Sequence, residues 1–294
     1  MLLKKYNYQM NNETIYGKKV FHVSKVHLFW LQILIPASLL MSASPVYSQI
    51  LEFGAFGGGA YYLGDLNPGK HFQQVQIAYG ILGRYNIDER WTVKLGVSRG
   101  MLQGNSESST FLPGSNLKFT SPVTDISAVA EFNFFNYFTG SRREFITPYI
   151  YAGIGVFWFN PEANGNTLRS MGTEGQNIGY EGRKRYSTMS ISFPFGLGMK
   201  YSLSRKLCLT VFWEMHKTLT DYLDDVSKTY YLHGPLIDPN DPAAVHSDPS
   251  FNHEPGMQRG NSHTQDWYSF AGVGLTYKFI LQGTKKCKDL RHKH

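Results

Sequence analysis

Between Met189 and Ser202 the chain alternates without a break. Met189, Ile191, Phe193, Phe195, Leu197, Met199 and Tyr201 are large and apolar, and Ser190, Ser192, Pro194, Gly196, Gly198, Lys200 and Ser202 lie between them. A period of two belongs to a strand, whose successive side chains point to opposite faces. The same alternation puts Ile126, Ala128, Ala130, Phe132 and Phe134 on one face of 124–135, opposite Asp125, Ser127, Glu131 and Asn133. In 207–216, Leu207, Leu209, Val211, Trp213 and Met215 oppose Cys208, Thr210, Phe212, Glu214 and His216. From Ile50 onward no segment sustains a 3.6-residue apolar stripe.

Extending this reading along the chain predicts eight strands, at about 50–62, 72–86, 91–103, 122–135, 145–159, 186–201, 206–219 and 266–280. They are long beside the five or six residues usual in a soluble sheet, and sufficient for a tilted membrane-crossing strand of about 9–11 residues. Their connections alternate in length. Those at 86–90, 136–144 and 202–205 are short, and those at 63–71, 104–121, 160–185 and 220–265 are long. An up-and-down barrel gives this pattern, with successive connections leaving at opposite ends. Short turns on the periplasmic side and long loops outside are the habit of outer-membrane barrels. The expected fold is therefore all-β, an eight-stranded antiparallel up-and-down transmembrane β-barrel over 49–281.

The two faces fix which way the barrel is turned. One is aliphatic and aromatic, with Trp91, Trp158, Trp213, Trp267, Tyr201, Tyr277 and Phe279 toward its ends, as in interfacial girdles. The other is small and carries Glu52, Arg84, Lys94, Asp125, Glu131, Lys200, Glu214 and Lys278. A soluble barrel is apolar inside, whereas here the unbroken apolar face belongs against lipid and the charges pair in the lumen. Eight strands leave an interior just wide enough for side chains to fill, so no open pore is expected.

The ends carry the charge. Of a net +7, residues 1–48 hold +4 and the tail from Thr284 another +4, leaving about −1 for the body by subtraction. A nucleic-acid binder would show a basic stripe through its folded part, so no nucleic-acid partner is expected. Lys18, Lys19 and Lys25 precede the apolar run 28–41 and then small residues. This reads as a signal peptide over 1–48, with mature Gln49, and the competing reading is a retained membrane anchor. The basic tail 282–294 either floats, meets an acidic partner, or meets anionic headgroups.

Candidate chemistry is sparse. Asp221, Asp224 and Asp225 read either as a calcium site or as a hydrogen-bonded loop base, and the calcium-loop spacing is absent. His233, His246, His253 and His263 have no metal-ligand spacing and read as exposed loop residues. No nucleophile motif marks a Ser-His-Asp site. No cofactor is expected. Cys287 is expected to form a disulfide, with Cys208 or with a second chain, in the oxidising periplasm; the other reading is two free thiols.

Three stretches carry a family resemblance: EFGAFGGGAYYLGDLNP from Glu52; GRKRYS, PFGLGMKYSLS and TDYLDDVS between Gly182 and Tyr230; and QRGN with DWYSFAGVGLTYKF from Gln258 to Phe279. Together they resemble the PorG family of the type IX secretion system of Bacteroidetes. Gly274 followed by Tyr277 and Phe279 also resembles the terminal assembly signal of outer-membrane barrels. The resemblance implies a structural, non-enzymatic role: anchoring or aligning a periplasmic ring of a PorK-like lipoprotein and a PorN-like protein at the outer membrane, with secretion and gliding motility depending on it. The expected contact surface is the short-turn end with the tail, namely Arg142, Arg143, Lys285, Lys286, Cys287 and Lys288. The alternative is an independent barrel, either surface-binding through its 46-residue fourth loop or lipid-active.

Overall fold

The computed structural model describes residues 50–280 except 110, 111 and 113. The leader 1–48 and the tail residues Lys285, Lys286, Cys287 and Lys288 lie outside the described residues. Eight long strands follow one another: β1 (Ile50–Leu63), β2 (Gln76–Asn86), β3 (Trp91–Asn105), β4 (Lys118–Asn133), β5 (Ile146–Phe159), β6 (Met189–Ser202), β7 (Leu207–Thr218) and β8 (Trp267–Ile280). Each pairs antiparallel with its sequence neighbours, and β8 closes on β1 from Ile50↔Ile280 to Leu63↔Trp267. Closure removes both sheet edges, which lets a sheet sit in hydrocarbon with its backbone satisfied. The β5–β6 ladder is interrupted between Ala152↔Phe195 and Gly155↔Ser192. Pro194, which has no N–H to donate, lies in that gap.

The alternation read from the sequence is the alternation of burial. Leu95 is 60% exposed, whereas Lys94 beside it is 9% exposed. Ile77, Ile81, Ile126, Ile154, Leu197, Val211 and Leu275 form an exposed apolar belt, and the eight charged residues of the opposite face all point inward. Charged inside and aliphatic outside is the pattern of a membrane barrel. At the short-turn end the belt finishes in a run of rings. Trp91 meets Phe132 at 5.0 Å, Phe145 meets Tyr201 at 5.7 Å, Phe53 meets Phe279 at 5.8 Å, and Tyr277 meets Phe279 at 4.9 Å.

Three strand starts differ from the sequence reading. β2 begins at Gln76, not 72, because Phe72 (φ 57°) and Gln74 (φ 51°) turn the chain out of extended geometry. That loop folds down over the outer wall, with His71 and Phe72 packing on Tyr61 and Trp213. Trp213 is therefore half-buried, its indole donating to the Tyr61 hydroxyl at 2.8 Å, and is not a free girdle residue. β4 starts earlier, at Lys118. β6 starts later, at Met189, because Tyr186 turns away to stack on Tyr222 at 4.5 Å. The main apolar core lies at the long-loop mouth. There Tyr62, Leu102, Phe119, Phe157 and Phe270 from the wall meet Leu66, Leu168, Leu223 and Val226 from the loops.

Candidate functional site

The lumen holds two linked charge clusters. Nearer the short turns, Glu131 lies between Arg84 (Nε 3.2 Å) and Lys200 (Nζ 2.7 Å), all three buried. Nearer the long loops, Lys94 reaches Glu214 at 3.0 Å, and Glu214 meets His216 Nε2 at 2.8 Å. His216 is stacked on Tyr268 at 4.3 Å, and the Tyr268 hydroxyl donates to Asp125 at 2.8 Å. Tyr149 and Tyr151, stacked at 5.5 Å, stand beside these cations, Lys200 lying 4.7 Å from the first ring and Lys94 4.4 Å from the second. Among the described residues, four lumen cations (Arg84, Lys94, Lys200, Lys278) face four carboxylates (Glu52, Asp125, Glu131, Glu214). The interior is thus charge-balanced and filled by its own side chains, as a narrow barrel requires.

Ser192 Oγ lies 3.4 Å from His216 Nδ1, and His216 reaches Glu214. This Ser-His-Glu grouping escaped the sequence reading, because its members are three isolated strand residues with no motif around them. It is packed shut by Tyr268 and Phe270, and Ser192 donates to Asp125 at 3.2 Å rather than to the imidazole. Its chemistry is that of an internal strut.

The long loops build a folded cap. Asp224 and Asp225 are its buried base, as one of the two sequence readings has it. The Tyr62 hydroxyl lies 2.5 Å from Asp224 Oδ2 and 3.1 Å from Asp266 Oδ1, and Asp225 receives Thr173 and, at 2.6 Å, Tyr186. A hydroxyl has one proton, so the second Tyr62 contact needs a proton on a carboxyl. Burial supplies one by pushing Asp224 and Asp266 well above the ordinary carboxylate range, aided by their repulsion from neighbouring aspartates. Burial also lifts Asp65 to about 6 and Asp221, half-buried at the edge of the cluster, to about 8. Asp225 rises to about 6 because burial outweighs the attraction of Arg259. Among the described residues no group of His, Cys, Asp and Glu is arranged to hold a metal ion.

The cap's main tie is a buried pair that the sequence did not single out. Glu174 accepts from the Ser227 and Lys228 amides, both at 2.9 Å, and lies 3.3 Å from Arg259. Arg259 also donates to the Asp225 carbonyl at 2.6 Å. The sequence reading takes all four loop histidines as exposed, but only His263 is: His233 is half-buried and meets Glu254 at 2.5 Å. His246 is buried near Asn166, and His253 stacks on Tyr230 at 4.0 Å and meets Asp248 at 2.9 Å. Asn166 and Tyr230 come from distant loop positions, which spacing alone does not reveal.

At the opposite end the turn between β4 and β5 folds into the barrel. Thr139 donates to Glu52 at 2.5 Å, and Lys278 donates to the Thr139 carbonyl at 2.5 Å. Arg90 bonds Asn136 and the Phe134 carbonyl, which braces the turn from the side. Arg142 and Arg143, the predicted contact residues, are exposed on its outer edge. Cys208 is a free, buried thiol in this part of the lumen, and its predicted partner Cys287 lies outside the described residues.

A family model described as a domain of unknown function (DUF6089) matches residues 31–231. No curated protein matches the chain in sequence. Among solved structures, it is similar to Neisserial surface protein A (NspA), with TM-score 0.41 and 11% identity over 78% of this chain and 97% of that one. It is similar also to Ail, the attachment invasion locus protein of Yersinia pestis, with TM-score 0.39 and 9% identity over 79% of this chain and 100% of that one. A third is the N-terminal β-barrel domain of Pseudomonas aeruginosa OprF, with TM-score 0.35 and 13% identity over 78% and 97%. These likenesses are distant.

Proposed function

The chain belongs to the DUF6089 family, whose description assigns no activity, and we propose that this barrel is a structural outer-membrane component of type IX protein secretion. In this reading it anchors or aligns a ring of PorK-like lipoprotein and PorN-like protein, with its short turns and both termini in the periplasm and its cap outside.

The observation that carries the reading is the closed, charge-balanced interior. A barrel filled by its own side chains has no passage for cargo and acts through its ends and its wall. The resemblance to the PorG family adds the system. Its blocks, far apart in sequence, meet in one place: Tyr62 and Asp65 from the first, Tyr186, Asp224 and Asp225 from the second, and Asn261 and Asp266 from the third. They behave as one structural unit. At the short-turn end, exposed Arg142 and Arg143 stand on a turn braced from inside the barrel, a rigid platform for a periplasmic partner.

A second reading, an independent surface-binding barrel, is favoured by the cap's exposed apolar residues Ile178, Leu236 and Met257. One experiment separates the two. Tagged protein is purified from gently solubilised outer membranes of the native host, and what accompanies it is identified by mass spectrometry. Recovery of the ring lipoprotein and its partner, lost in Arg142→Glu/Arg143→Glu while barrel assembly persists, is the expected result. Recovery of the barrel alone moves the functional surface to the cap.

A further inference from the structure

Between the β4–β5 turn and the β6–β7 turn lies an open groove of about 670 Å3. It is built rather than incidental. Gly140, at φ 97°, approaches so closely that a Cβ there would stand 2.5 Å from the Arg205 carbonyl oxygen. Its amide donates to Ser202 Oγ at 2.7 Å, and the Ser202 amide donates to the Phe145 carbonyl at 2.7 Å. These contacts lock the two turns together and fix the spacing of the backbone that carries Arg142 and Arg205, both of which line the groove.

The chemistry of the lining is divided. Arg142 and Arg205 are exposed, and neither guanidinium has a hydrogen bond or ion pair among the described residues. In the lumen, by contrast, Arg84, Lys94 and Lys200 each hold a carboxylate. The other side of the groove is apolar: Phe145 and Tyr201 meet edge-on at 5.7 Å, and Leu203 is exposed beside them. Those residues continue the outer belt at the height of its aromatic girdle, where headgroup phosphates lie.

We infer that this groove binds the phosphate of an anionic glycerophospholipid, with Arg142 and Arg205 on the phosphate oxygens and the acyl chains descending past Tyr201 and Leu203. Two guanidinium forks suit a tetrahedral anion, and each is always charged. A peptide carboxylate would satisfy the arginines but would leave the apolar side of the groove unused. A lipid uses both, and reaches the groove sideways from the bilayer without opening the protein. Arg143, one residue further along, does not line the groove. The inference rests on the membrane embedding of the barrel and not on the ring, so the two are tested separately.

The test uses the folded full chain in detergent micelles containing equimolar dioleoylphosphatidylglycerol and dioleoylphosphatidylcholine, with native mass spectrometry of the lipid that stays bound. Two arginines at a membrane surface predict a preference for phosphatidylglycerol of about tenfold or more. Arg142→Gln/Arg205→Gln brings that preference to about one, and Arg143→Gln leaves it in place. Millimolar inorganic phosphate does not displace the lipid. Folding of each variant is confirmed by heat-modifiable gel migration. Arg205→Lys, which keeps the charge and loses the fork, gives an intermediate preference if the double variant does not fold. An unchanged preference in the double or the Lys variant overturns the inference, as does equal loss in Arg143→Gln. Displacement by free phosphate overturns it in favour of an ion site. Since no ring protein is present, none of these outcomes depends on the secretion reading.

Discussion

Replacing Glu131 by Gln tests the lumen directly. The substitution keeps the volume and an acceptor oxygen, so no cavity confounds it, but it removes the carboxylate bound by both Arg84 and Lys200. Among the described residues neither buried cation then keeps an ion pair. Breaking a buried ion pair from one side costs about 3–5 kcal/mol, most of it the penalty of the stranded charge. With two cations stranded, the upper half of that range applies, or roughly three orders of magnitude in the folded-to-unfolded ratio. The readout is urea unfolding of the detergent-folded barrel, followed by heat-modifiable migration and tryptophan fluorescence. The charge-free Arg84→Met/Glu131→Leu/Lys200→Met variant removes the desolvation cost together with the attraction, and is expected to match or exceed the parent. A Glu131→Gln barrel within about 0.5 kcal/mol of the parent would refute the reasoning. It would mean that water and small ions, not side chains, neutralise Arg84 and Lys200.

The cap offers two further tests. Tyr62→Phe strips the hydroxyl from between Asp224 and Asp266 and leaves buried carboxyl oxygens short of a partner, at a cost of about 1–3 kcal/mol. Protease nicking within 220–265 should accelerate while the barrel itself stays folded; unchanged nicking would show the contact to be dispensable. The cap should also loosen with rising pH. Carboxyls whose folded pKa is raised stabilise fully below their ordinary pKa, and that contribution is lost as pH passes the folded value. With an ordinary value of 3.8, Asp65 and Asp225 at about 6 and Asp221 at about 8 place the loss between about pH 4 and pH 8. Hydrogen exchange of 220–235, corrected for intrinsic rate, should show more protection at pH 5 than at pH 8.5. Asp221→Asn, which mimics the protonated form, should flatten the upper part of that change, and a flat parent profile would count against the mechanism.

The wall was legible because one physical rule governs every position in it. A residue in a lipid-facing barrel points either to hydrocarbon or to the lumen, so each strand prints its geometry as a period of two. Lys94 between Val93 and Leu95 is enough to say which way that strand faces. The same rule gave the eight lumen charges but not their pairs, since the partner of Glu131 depends on how the barrel folds around it. The cap follows no such period. Glu174 and Arg259 meet across 85 residues, and nothing local distinguishes them from other polar loop residues. Asp224 and Asp225 stood out only because acidic residues were adjacent, and their role as a buried base followed from Tyr62, Tyr186 and Thr173 arriving from three other segments. Ser192 and His216 show the reverse hazard. They form a grouping that looks reactive on paper, and their burial and the commitment of the serine proton to Asp125 make it structural.

The distribution of satisfied and unsatisfied charge also says where this barrel can act. Lumen cations are matched by carboxylates, and the cap's Arg259 is held by Glu174 and the Asp225 carbonyl. Arg142 and Arg205 stand apart, beside a turn whose own backbone is fastened to Glu52 and Lys278 through Thr139. An exposed guanidinium with no hydrogen bond or ion pair among the described residues adds little to holding the fold, and its entropy is lost on binding only if the new contact repays it. The turns that carry Arg142 and Arg205 are locked at Gly140, so little backbone ordering remains to oppose a ligand. Under the ring reading the same turn carries Arg143, and a lipid seated beside Arg142 would hold that edge at a fixed depth in the interface. Weakening the lipid site with Arg205→Gln, a position on the neighbouring turn, should then reduce ring recovery without altering any residue of the β4–β5 turn. A ring recovered in full from that variant would show that the two surfaces act independently.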